Sequence, residues 1–215
     1  MKITHHPGTD SLMSCSAGSM PEAFAAVMAS HISVCPQCRN DLAIMEDIGV
    51  ALLDQLSPTP VVESAPVMTL RRLEAETTPD AAQSPLSGDV PAPIMAAVGR
   101  YLDDVEWKRM APGIAHFQIP LSNAAKGDLR LIRIAPGLSL PEHGHAGSEL
   151  TLILRGSYRD KTGHYKAGDL ADLSDDIEHQ PVADPVEGCI CLVATAGKLR
   201  FKTLMARLMQ PITGL

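Results

Sequence analysis

The sequence predicts a multidomain protein of α plus all-β class, with a small helical bundle first and a β-barrel second. Three observations carry this. Apolar residues recur at helical spacing up to about residue 56 and at a period of two after residue 105. A Pro-punctuated stretch, 57–93, separates the two patterns. Each half also holds its own cluster of ligand-type side chains: His31-x3-Cys35-x2-Cys38 in the first, and Gly137, His143, His145, Glu149 and Gly156 at fixed spacing in the second. The expected units are 1–85, helical with the linker at its end, and 86–215, the barrel.

Bulk properties narrow the function. With 45% hydrophobic residues, the 215-residue chain has the material for packed cores. A net charge of −7 and only 3% aromatic residues argue against direct nucleic-acid binding, which relies on cationic surfaces and stacking platforms. Every apolar run falls short of the ~20 residues a membrane span needs. The first residues, Met1 to Pro7, carry no apolar signal core, so a cytoplasmic protein without membrane attachment is expected. Five cysteines in a reducing compartment point to metal ligation before disulfides.

In the first half, Thr9 or Asp10 is placed to cap a short helix that stops at Gly18. Ser19-Met20-Pro21-Glu22 has the spacing of a capping box for a second, Ala-rich helix from 23 to about 32. A third helix starts near Pro36 and carries Leu42, Met45, Ile48, Leu52 and Leu56 as an apolar stripe, read as core packing or as a partner face. Within the linker, 67–74 has the pattern of a short amphipathic helix. Strands are expected at 114–119, 128–134, 150–154, 169–173, 189–194 and 199–203, separated by Gly and Pro turns, with Gly156 ending the third. Charge is uneven: residues 1–85 hold four Lys and Arg against ten Asp and Glu, an acidic surface that suits a basic partner.

The first cluster is soft. His31 and Cys35 fit one helical face, and Cys35-x2-Cys38 is the usual bite of two thiolates on one ion. A closed tetrahedral zinc site needs a fourth ligand. His6 is favoured, held extended by Pro7, with His5 and Cys15 as the alternatives. In so small a bundle such an ion contributes on the order of 10 kcal/mol to folding. The second cluster is harder. His143 and His145, two apart on an extended segment, share a side, and Glu149 adds a carboxylate. His179 is the favoured fourth ligand, ahead of His164, while His116 reads as a partly buried strand histidine. Nitrogen and carboxylate donors accept zinc or another divalent metal (Mn, Fe, Ni or Cu). Cys189 and Cys191 point to one side of their strand, as small buried residues or as a redox pair.

The span 137–156 resembles the first sequence motif of the cupins in every defined position, which implies a double-stranded β-helix barrel. The second motif is only partly present: Lys166-Ala167-Gly168 stands where the family has Pro-x-Gly, and His179 would act from further on. His6, His31, Cys35 and Cys38, with the helix that follows at 41–56, resemble zinc-binding anti-sigma domains. Both modules in this order resemble the ChrR-type zinc-binding anti-sigma factors across essentially the whole chain. That resemblance implies a non-enzymatic role. The helical domain would sequester an extracytoplasmic-function-type sigma factor, blocking the surfaces that it uses for core RNA polymerase and promoter DNA. The cupin-like domain would govern release under singlet oxygen or organic peroxides. Candidate contacts are Met13, Met20, Met28, Met45, the 42–56 face and 67–74. The alternative is a cupin metalloenzyme, a dioxygenase or isomerase, with an N-terminal docking domain.

Overall fold

The N-terminal helices are α1 (Thr9–Ser16), α2 (Glu22–Val34) and α3 (Pro36–Leu53), in a computed structural model that describes residues 2–59, 88–175, 177–197 and 199–201. The side chains of His145 and of residues 199–201 lie outside that description, as do the expected 67–74 helix and the boundary at 85. Helix α2 is the organising element. It buries Ala23, Phe24, Val27, Met28, Ser30 and His31, the three-and-four spacing of one helical face. That face lies on α3 on one side and on the β-sheet on the other.

The capping box is not formed. α2 begins after Pro21, whose extended backbone (ψ 147°) leaves Ser19 two residues short of the cap. Ser19 instead donates its hydroxyl to the Ser14 carbonyl at 3.2 Å. Glu22 turns away and accepts from the Ser122 backbone N–H at 2.9 Å and from the Ser122 hydroxyl. α1 starts after Gly8, also without a side-chain cap.

The end of the Pro-rich stretch is structured. Pro91 precedes helix α4 (Ala92–Val98), with Pro93 in its first turn, where a missing N–H costs nothing. Val90 and Ile94 are buried, and α4 lies on α2. A 3-10 turn, Leu102–Asp104, follows. Arg155 of the sheet clasps both Asp89 and Asp103, fastening this return segment to the barrel.

The β unit comprises β1 (Lys108–Ala111), β2 (Ile114–Gln118), β3 (Asp128–Ile134), β4 (His143–His145), β5 (Glu149–Arg159), β6 (His164–Lys166), β7 (Leu170–Leu173), β8 (Val182–Ala183), β9 (Cys189–Thr195) and β10 (Leu199–Phe201). All pairings are antiparallel, in the order β1-β2-β3-β9-β5-β6; β7 and β8 also pair with β5, and β4 pairs with β10. β5 is longer than expected. Gly156 does not end it but sits inside it at φ +70°, close beneath the Gly188 carbonyl.

Strands β5 and β9 read as unbroken apolar runs because both of their faces are covered. Leu150, Leu152, Ile190, Leu192 and Ala194 join Val27, Met28, Phe24 and Leu12 of the helices in one apolar cluster. Ile153, Cys189, Cys191 and Val193 point the other way, into a second cluster inside the barrel with Tyr158 and Tyr165. The helices and the barrel therefore share a core.

Candidate metal centres

The first centre is built by three pieces of chain. His31 lies in the last turn of α2, Cys35 sits between α2 and α3 in extended conformation, and Cys38 opens α3. His6 arrives on the arm before α1. The Cys35 and Cys38 sulfurs lie 3.4 and 3.3 Å from His6 Nδ1, and Cys38 Sγ lies 3.3 Å from His31 Nε2. All four donor atoms fall within 4.8 Å of one another. Zinc bonds of about 2.0–2.3 Å in a tetrahedron give donor separations of about 3.5 Å, so this set fits a closed zinc site. His31 Nδ1 donates to the Gly168 carbonyl at 3.0 Å, which leaves Nε2 as the ligating atom. Burial pushes the His31 pKa down to about 4, against the partial pull of that hydrogen bond. Burial likewise pushes the Cys38 thiol up to about 12, with the Cys35 thiol beside it adding to the rise. A bound cation reverses that preference and favours the thiolate.

The other sequence candidates lie elsewhere. His5 points to Asp169, and Cys15 is half-buried on α1; neither joins the four.

The second candidate set lies in the β unit. His143 of β4 and His179 form an isolated antiparallel bridge. Their Nε2 atoms face each other at 3.1 Å. Each Nδ1 is committed as a donor, His143 to the Pro141 carbonyl at 2.8 Å and His179 to Asp160 Oδ2 at 2.7 Å. With Nδ1 of each ring donating elsewhere, the two Nε2 atoms are the ring atoms turned toward each other, and Nε2 is the atom through which each ring could hold a cation. Glu149 opens β5, is buried, and accepts from the Thr151 hydroxyl at 2.9 Å. His145 lies two residues from His143 in β4, opposite Leu199. His164 stands apart on β6, 3.2 Å from the Ser157 hydroxyl. His116, on β2, holds a buried Nδ1 with no hydrogen-bond partner among the described residues. Cys189 and Cys191 are buried and face the barrel interior.

The model of the ChrR cupin-like domain family matches residues 96–198. Across 211 residues the chain is 35% identical to the anti-sigma-E factor ChrR of Cereibacter sphaeroides, covering 98% of both chains. The chain belongs to the ChrR family of anti-sigma factors. A solved relative, Rhodobacter sphaeroides SigE in complex with the anti-sigma ChrR, aligns over 90% of this chain and 99% of that one, at 34% identity and a TM-score of 0.76. The helical region with its His and Cys cluster and the antiparallel cupin-like domain are thus the two parts of a ChrR-family chain.

Several residues that orient the candidate ligands carry no signal in the sequence. The Asp160 side chain is fully covered behind His179. Burial works to raise its carboxyl pKa, but hydrogen bonds from His179 and Thr162 outweigh it and hold the group low. In the sequence it sits in Arg159-Asp160-Lys161-Thr162-Gly163, which reads as an ordinary turn. Gly168, whose carbonyl meets the His31 ring, and Asp169, which holds the arm just before His6, have no ligand signature at all.

The α3 stripe divides: Leu42 and Met45 are partly buried, Met45 against the core, whereas Ile48 and Leu52, with Leu56 just past the helix end, are uncovered. Ile44, Ile48, Leu52 and Leu56 recur every four residues and are 52–67% exposed, and Val50 and Leu53 flank them. Helical spacing marks one apolar face but does not say what covers it; on α3 the barrel does not. Met13 is exposed, whereas Met28 is completely buried between α2 and the sheet and does not reach any partner.

Proposed function

We propose that this chain is a cytoplasmic anti-sigma factor. The N-terminal part, residues 1–85, sequesters an extracytoplasmic-function-type sigma factor, and an oxidative signal that requires the cupin-like part, residues 86–215, releases it. Zinc held by His6, His31, Cys35 and Cys38 fixes the α2–α3 corner. Zinc or another divalent metal sits on His143, His145, Glu149 and His179. The observation that carries this reading is the apolar α3 face, which rises directly from that metal-bound corner and is left open to solvent. Single exposed apolar residues are ordinary, but a contiguous row of this length marks an interaction surface. The solved ChrR relative was crystallised with SigE, in keeping with such a use. None of the described helices is long and apolar enough to cross a membrane.

The test is capture of the cognate extracytoplasmic-function-type sigma factor by zinc-loaded full-length protein. Ile48→Asp should weaken capture at least ~10-fold, because buried apolar anchors dominate interfaces. The same change should leave folding stability within about 0.5 kcal/mol, since the side chain is exposed. Undiminished capture by Ile48→Asp and by Leu52→Asp would remove α3 from the binding surface.

A further inference from the structure

The barrel reaches into the first metal centre. Asp169, 1% exposed at the β6–β7 turn, accepts hydrogen bonds from the arm and from its own turn, among them two long ones of 3.4 Å from the Thr4 hydroxyl. Its Oδ1 takes the backbone N–H of Thr4 at 2.7 Å and of His5 at 3.0 Å. Its Oδ2 takes the Lys166 N–H at 2.9 Å and His5 Nδ1 at 3.2 Å. The Leu170 N–H donates to the His5 carbonyl at 3.2 Å. Two residues beyond His6, the Gly8 N–H donates to Asp172 Oδ2 at 2.9 Å. His6 is therefore suspended between two anchor points, both on the barrel. The same turn supplies the Gly168 carbonyl that fixes the His31 ring. Two of the four donors of the sulfur-rich centre are thus oriented by the barrel, and the two cysteines by the α2–α3 corner.

We infer that Asp169 is a positioning residue for the His6, His31, Cys35 and Cys38 centre, and that metal retention there depends on the docked β6–β7 turn. Groups that orient metal ligands typically change affinity 10–100-fold when removed. The turn is also tied to the barrel interior: the His5 ring lies 4.4 Å from Tyr165, whose ring lies 5.0 Å from Tyr158 in the inner cluster. A change inside the barrel that shifts 165–169 shifts His6 with it. By linkage, loss of the ion loosens the turn in return. The inference rests on the metal reading of the first centre given above.

The experiment uses the full chain loaded with cobalt(II), because the thiolate-to-cobalt charge-transfer band reports the sulfur centre alone. Decay of that band after addition of a chelator measures metal loss. Asp169→Ala should accelerate the decay at least ~10-fold, with Asp169→Asn, which keeps one acceptor for the arm, in between. Asp172→Ala removes only the Gly8 anchor and should accelerate it by a smaller factor. A merely structural role would lower the unfolding midpoint and leave the decay rate unchanged well below it. Wild-type decay in Asp172→Ala and in a folded Asp169→Ala overturns the inference. If Asp169→Ala does not fold, Asp172→Ala decides it alone. Absence of the band in the wild type would instead remove the metal reading, and this inference with it.

Discussion

His31 carries both a structural and a chemical load, and its protonation ties them together. Its pKa is pushed to about 4 by burial, from 6.5 for a free side chain. The unfolded chain therefore takes up a proton as pH falls through 6.5, while the folded, metal-free chain does not do so until about pH 4. The neutral ring's contribution is fully present above pH 6.5 and is lost as pH drops toward 4. A depression of this size corresponds to about 3 kcal/mol of folding free energy. Urea unfolding of metal-stripped protein should show this loss between pH 7 and 4, and His31→Leu should flatten that part of the profile. An equal slope in both proteins would place the proton uptake elsewhere.

At the scale of elements, β5 sets the geometry of the barrel centre. It starts at Glu149 and ends one residue before Asp160, with Gly156 between them. An added Cβ at Gly156 would lie 2.1 Å from the Gly188 carbonyl oxygen, and the backbone is left-handed there. Gly156→Ala should cost at least about 2 kcal/mol, as strained backbone and steric overlap combine. Chemical denaturation against wild type checks it; a difference under about 0.5 kcal/mol would mean that the β5–β9 pair shifts freely.

What could be read in advance follows from what is local. The α2 face, the β3 and β9 runs and the spacing from His143 to Glu149 are encoded in consecutive residues, and each emerged from period or spacing. The short strands β1, β4, β6 and β8 have too few residues to show a period. Asp160, Gly168 and Asp169 act across 19 to more than 130 residues of sequence, and turn-like surroundings hide such roles. The α3 stripe was visible, but whether its face lay in a core or against solvent depends on where the barrel docks. The Ser19–Glu22 box failed for a similar reason: Glu22 found a partner in Ser122, a hundred residues away.

For the whole molecule, the shared apolar cluster changes how release has to be pictured. Val27 and Met28 are wholly buried in a cluster with Leu150, Leu152 and Leu192 of the sheet, and separating helices from barrel would bare all of them to water. The joining stretch between Thr59 and Gly88 starts on α3's side and returns to a point held by Arg155 through Asp89 and Asp103. A protease that cuts within 60–87 severs the covalent thread but removes none of these contacts. The two fragments should leave a gel-filtration column in one peak, at the volume of the uncut chain, and separate peaks would show that the apolar seam is weaker than its burial implies. Snipping the thread would then free nothing by itself, and the release proposed above would require the seam itself to come unlatched.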